Sequence, residues 1–325
     1  MAIDYGPRLR EFDEALARKF IRGQWTADPA SRPGSKPAGV PYIWKWSELK
    51  PQLVAACDAL PESFTARRAL AFRNPELPRC TAQTISMTVQ AIRPREIAWT
   101  HRHTIAAMRF VIKGDPGLVT VVDGVACPMA ENDLVLTPSW TWHDHRNESD
   151  EMVYWVDVLD VPLVGGLGMG FYEELGQTTQ PIVADVPEGA GYRYTWAEAM
   201  GGLRAAERTE PHPHDGVVYD YPARSGGGAA LPTLRPSVHR LPGGFAGRRH
   251  RHTSSTVYHV VSGEGRTEAG DTVLEWSARD NFVVPNWTWH RHVNSSASSD
   301  AVLFVVSDDP GLRALGYYRE EAEER

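Results

Sequence analysis

Apolar positions along this chain recur with two different periods. Between Arg10 and Arg22, Phe12, Leu16, Phe20 and Ile21 fall on one face at helical spacing. A stretch rich in Pro, Gly and Ser runs from Asp28 to Pro41, and Trp46 to Leu60 again has helical character. From Thr65 the pattern changes to short apolar runs separated by turn residues: ALAF, TISMTVQAI, MRFVI, LVTVV, DLVLTP and MVYWVDVLDV. Closely spaced runs rich in Val, Ile and Thr predict the strands of a sandwich or barrel. TWAEAMGGLRAAE, Thr195 to Glu207, predicts a helix, and PHPHDGVVYDYPARSGGGAALP after it reads as an extended linker. Strands resume from about Leu234 to Asp308, and the tail from Leu312 to Arg325 reads as helical, ending in a charged run. The expected organisation is all-β dominated with flanking helices: a helical segment over 1–64, a first β domain over 65–185, helix and linker over 186–233, and a second β domain with a C-terminal helix over 234–325.

The two β blocks repeat each other. His101, Arg102, His103 and Thr104 return as His250, Arg251, His252 and Thr253, and TPSWTWHDHRN returns as VPNWTWHRHVN. The copies are offset by 149 residues at the first phrase and by 147 at the second. Side chains alternate along a strand, so each H-x-H pair points into one barrel. His143, near the end of the DLVLTP strand, is the third candidate ligand. Three imidazoles can hold one metal ion and leave coordination positions open. Because all three are neutral, the ion's charge stays uncompensated, which favours an anionic, chelating substrate. A single buried histidine is most often a hydrogen-bonded core residue. The doubled pattern points instead to metal in at least one barrel.

The copies differ where it matters chemically. Arg109 follows the first histidine pair, where the second copy has Tyr258. Asp157, fourteen residues after His143, corresponds by the same count to Phe304. Arginine offers a planar fork suited to a carboxylate. His145 shares the face of His143 and is read either as a proton-transfer group beside the substrate or as a rim histidine; His292 mirrors it. Whether His250, His252 and His290 hold a second metal is left open, with a non-catalytic role preferred.

Composition bounds these readings. At 325 residues two domains are the default, and 42% hydrophobic with 23% charged residues is ordinary for a globular protein. A net charge of −7 argues against a nucleic-acid or membrane-surface binder. Cys57, Cys80 and Cys127 are too few and too scattered for a disulfide framework and suit a reducing compartment. No apolar run is long enough to span a bilayer, and Met1 to Arg10 has no apolar signal core, so the expectation is cytoplasmic.

HRHT, the PxWxWHxHxN phrase and the paired β blocks resemble the bicupin ring-cleaving dioxygenases of the gentisate 1,2-dioxygenase and salicylate 1,2-dioxygenase family. The likeness extends from ARRALAFRNPEL through VPNWTWHRHVN. No glutamate follows the first H-x-H as it does in most cupins, which matches a three-histidine subgroup. The resemblance implies two double-stranded β-helix (jelly-roll) barrels, Fe(II) on His101, His103 and His143, and a homo-oligomer, a homotetramer or a related assembly. It also implies a substrate pocket formed by Arg109, Arg67, Gln90, His145 and Asp157. The reaction implied is O2-dependent opening of a 2-hydroxybenzoate, gentisate or a substituted salicylate such as 5-nitrosalicylate, between its carboxyl- and hydroxyl-bearing carbons. Family members often carry W-x-G-x-Q before the histidines, whereas this chain has Ser86-Met87-Thr88-Val89-Gln90. That change reshapes the wall near the ring and favours a substituted salicylate over gentisate. Two other readings compete: a non-catalytic bicupin binding a metal or small ligand, and a zinc or manganese isomerase or hydrolase.

Overall fold

Each apolar run that announces a strand forms one. The computed structural model describes residues 6–23, 25, 37–60, 68–183, 191–208, 211–224 and 226–323. They fall into two compact units, Met1–Lys36 and Pro37–Arg325. In the first, a helix spans Pro7–Ala17, with proline pre-set for its first turn. The expected continuation to Ile21 fails because Phe20 adopts φ 57°, which no helix tolerates, and both Phe20 and Ile21 are exposed.

In the second unit the described strands form four sheets, two of six strands and two of five. The first barrel pairs a six-stranded sheet, containing Ser86–Ile92, Ala107–Lys113, Leu134–Thr137 and Val153–Leu159, with a five-stranded one containing Ile97–His103, Leu118–Val122 and His143–Asn147. The second barrel repeats this with Arg235–Leu241, Thr256–Ser262, Asn281–Val284 and Ala301–Ser307 against Glu264–Ala269, His290–Asn294 and His250–His252. Tyr42–Trp44, from far upstream, forms the edge of the second barrel's larger sheet against Asn281–Val284.

Alternation along these strands divides their side chains between two environments. Met108, Phe110, Ile112, Tyr154, Val156 and Val158 join Val238, Val257, Phe304 and Val306 in one core lying between the barrels, where Phe110 and Phe304 stack at 4.2 Å. The other face of the same strands, with Val111, Val135, Val153 and Trp155, lines the interior of the first barrel. The two six-stranded sheets therefore pack back to back, and each carries apolar side chains on both faces.

Two acids clasp this interface reciprocally. Asp160 accepts from Ala106 N (2.8 Å) and from Thr233 Oγ1 (2.7 Å), which belongs to the approach to the second barrel. Asp308 accepts from Ser255 N (2.9 Å) and from Thr84 Oγ1, which belongs to the approach to the first.

Helices fill the gaps. Trp46–Ala59 buries Leu53 and Cys57. Trp196–Ala206 starts in a capping box, with Thr195 accepting from Glu198 N and Glu198 from Thr195 N. Gly202 in that helix permits close packing, since a Cβ there would meet the Tyr219 ring at 2.1 Å.

Two segments depart from expectation. The stretch read as an extended linker carries the strand Val217–Asp220, paired with Arg235–Leu241. The tail is helical only over Asp309–Ala314; its Glu320–Ala322 is a strand paired with His250–His252. Both are edge strands that exist because a neighbouring backbone offers a ladder, which periodicity within the segment does not reveal. No described helix is long and apolar enough to cross a membrane.

Candidate metal centre and substrate pocket

The strand Ile97–His103 lies between Tyr172–Glu174 and His143–Asn147 in its sheet. His143 opens its own strand after a tight turn, rather than ending the DLVLTP strand, and stands directly opposite His101. With His101 and His103 on one face, the three rings converge: centroids lie 4.2 Å apart for His101 and His143, and 4.8 Å for His103 and His143. One nitrogen from each lies within 4.8 Å of the others.

Backbone carbonyls fix which nitrogen is offered. His101 Nδ1 lies 2.8 Å from Trp99 O, His103 Nδ1 2.7 Å from Ile105 O, and His143 Nδ1 3.0 Å from Thr141 O. With Nδ1–H donating to a carbonyl, Nε2 is the lone-pair nitrogen, which is the arrangement a metal needs. His143 Nε2 is buried without a partner among the described residues. Burial, then Arg109 and the two neighbouring imidazoles, hold His143 well below the usual histidine range, so it is neutral and available to a cation.

The shared letters between the histidines serve the scaffold. The Arg102 guanidinium sits between Trp140 (4.5 Å) and Trp142 (4.4 Å), and its Nε donates to Glu173 at 2.8 Å. Arg251 repeats this with Trp287 (4.3 Å), Trp289 (4.6 Å) and Glu321. Trp140 and Trp287 adopt φ 65° and 56°, which turns the chain sharply ahead of the third histidine.

Arg109 and Asp157 face each other across paired strands, on the inward side. Arg109 Nε lies 3.3 Å from Asp157 Oδ1, its Nη1 donates to Thr137 Oγ1 at 2.7 Å, and both charged groups are buried. Thr88 pairs with Asp157 from the other side, on the same face as Gln90. Gln90 is buried, and its Nε2 has no partner among the described residues. His145 is 1% exposed, which excludes the rim reading; its Nδ1 meets Thr120 Oγ1 at 2.7 Å, and its ring lies 5.9 Å from His143 and 5.4 Å from Trp155. Arg67 lies outside the described residues. Thr137 and Thr120, which hold Arg109 and His145, were not legible in advance, because threonine is common in strands for other reasons.

In the second barrel Tyr258 occupies the register of Arg109, as expected. The counterpart of Asp157 is Val305, which pairs with Tyr258, and not Phe304. The connection before Ala301–Ser307 is one residue longer than in the first copy, and a one-residue shift turns Phe304 to the opposite face. His250, His252 and His290 also converge within 4.8 Å. Around them, the segment read as linker supplies His212, His214 and Asp215, and the tail supplies Glu320. Both segments were assigned no role from sequence, although PHPHD itself carries an H-x-H and an acid.

Comparison with known proteins agrees with this geometry. The Cupin domain family model matches residues 88–159 and 237–307, the strands of the two barrels. The chain is 37% identical to a 1-hydroxy-2-naphthoate 1,2-dioxygenase of Nocardioides sp. (strain KP7), covering 97% of this chain and 88% of that protein. It is 39% identical to a 5-aminosalicylate 1,2-dioxygenase of Comamonas sp., covering 87% and 81%. Salicylate 1,2-dioxygenase from Pseudoaminobacter salicylatoxidans, solved with gentisate, superposes with a TM-score of 0.88 at 28% identity, covering 100% of this chain and 96% of that one. With two cupin barrels, a histidine triad in each and this kinship over nearly its whole length, the chain belongs to the family of ring-cleaving gentisate and salicylate 1,2-dioxygenases.

Proposed function

We propose that the N-terminal barrel opens the ring of a 2-hydroxybenzoate between its carboxyl- and hydroxyl-bearing carbons, with O2 as co-substrate and Fe(II) on His101, His103 and His143. The observation that carries this is the placement of one buried guanidinium, Arg109, beside a converging histidine triad in one barrel and not the other. The triad fits the ion: three ring nitrogens converge, two of them on buried histidines, each with its other ring nitrogen held by a carbonyl. When bound, ferrous iron supplies the redox chemistry and open positions for oxygen and a chelating substrate.

The chain's own residues do the rest. Arg109 grips the substrate carboxylate; a guanidinium has five N–H donors, so contacts with Thr137 and Asp157 are compatible with that grip. Asp157 and Thr137 hold Arg109 in orientation. His145, held by Thr120, takes the proton released as the phenol becomes phenolate. Gln90 aims an amide donor at the ring's polar substituents. Thr88, on the wall beside Asp157, replaces the glycine frequent in the family and favours a substituted salicylate over gentisate. The closed barrel excludes bulk water and fixes the ring's approach.

The test is oxygen uptake by ferrous-loaded protein after anaerobic addition of gentisate, salicylate, 5-aminosalicylate, 5-nitrosalicylate or 1-hydroxy-2-naphthoate. Stoichiometric O2 consumption with loss of the aromatic chromophore on at least one substrate is expected. No uptake with any of the five refutes the reading.

A further inference from the structure

We infer that the C-terminal barrel is a second metal site of a different type, in which His250, His252 and His290 hold a structural divalent cation and the carboxylate of Asp215 stands beside them. His290 Nδ1 lies 2.9 Å from Thr288 O and His252 Nδ1 2.9 Å from Ser254 O, so both present Nε2 inward, as the first triad does. The Nε2 atoms of His250 and His290 are buried with no hydrogen-bond partner among the described residues, and both residues are at most 2% exposed. A buried polar atom without a partner is costly in a protein that has no use for it.

Asp215 distinguishes this centre from the first. Its Oδ2 is anchored by His212 Nδ1 at 2.9 Å, and its Oδ1 is turned to the cavity, 4.0 Å from His250 Nε2 and 3.9 Å from His239 Nδ1. The three histidines alone converge within 4.8 Å, so Asp215 stands beside the set at His250 and sets its negative charge against any cation held there. Where His101 has a backbone carbonyl beside its Nδ1, His250 has the Glu320 carboxylate at 3.5 Å, which adds a second negative charge beside the site. The His214 ring stacks on His250 at 4.2 Å and fixes its plane.

Two carboxylates compensate the charge that the first triad leaves exposed, and Tyr258 occupies the place of the arginine that would receive a substrate carboxylate. The cation therefore has a holding role. It ties the segment around Asp215 and, through Glu320, the C-terminal strand onto the second barrel. This inference does not depend on the proposed reaction, because it is read by metal count rather than turnover.

The experiment titrates metal-free full-length protein with Mn(II), counting bound ions by electron paramagnetic resonance and elemental analysis. Two per chain are expected in the wild type, and one in either His143→Ala or His290→Ala. Asp215→Asn keeps the shape while removing the charge, and should weaken the second ion at least about tenfold. In His143→Ala, where the second site alone remains, Mn(II) should still raise the melting temperature. Uptake of a single ion by the wild type that is abolished in His143→Ala overturns the inference. So does an Asp215→Asn chain that binds the second ion as tightly as the wild type.

Discussion

Arg109 shows how one residue can be tested without confusing function with packing. Its charge is buried against Asp157, so truncating it alone removes the proposed carboxylate clamp and also strands a buried acid. Arg109→Ala should lose roughly 2–5 kcal/mol of substrate binding, read as a raised KM, and should lower the melting temperature. Adding Asp157→Ala should restore much of the stability and none of the substrate affinity. A double variant with a normal KM would show that the arginine does not hold the substrate. Arg109 and the triad were legible because strand alternation assigns a face to every residue once one is fixed. Phe304 was misassigned for the same reason: a single extra residue in the preceding connection reverses the face, and no letter in the strand records it.

At the scale of the element, the HRHT strand does two jobs with its two faces. Its histidines point inward, and Arg102 between them packs outward in a slot between Trp140 and Trp142. Each guanidinium–indole contact is worth about 0.5–1 kcal/mol at an exposed site and more when desolvated. Arg102→Ala should therefore destabilise the protein by roughly 1–2 kcal/mol, measured by chemical denaturation, and weaken metal binding in the first barrel. Arg102→Lys should recover little, because an ammonium does not fill the planar slot. The central strands were readable from their Val, Ile and Thr content. Tyr172–Glu174 and Glu320–Ala322 were not: YEE and EEA have no alternation of their own and are strands only through the histidine strands they pair with.

For the whole molecule, the duplication was readable because it copies letters, whereas the shared core between the barrels was not, since a strand apolar on both faces does not say what each face meets. The clasps across that core make stability pH-dependent. Burial pushes Asp308 up to about 7, against hydrogen bonds from Thr84 and Ser255 that lower it, and burial likewise raises Asp160. A carboxyl with a raised native pKa holds its proton in the folded state after the unfolded chain has released it. Its contribution is thus fully present below about pH 4 and is lost as pH rises through about 7. Denaturation of the metal-free protein across pH 4 to 8 should show this decline, and Asp308→Asn should flatten it. A variant whose profile parallels the wild type's would show that Asp308 titrates normally.

The reciprocal clasp also has a historical reading. In the contact pattern, the approach to each half bonds the acid of the other, as in a two-fold symmetric pair of identical subunits. A gene fusion of such a pair leaves two cups of one design in a single chain. Neither can be discarded, because each supplies half of the other's apolar lining. The second half is thus tied in by its back rather than its mouth, and its interior can differ, with Tyr258 in the register of Arg109 and Asp215 and Glu320 beside its histidines.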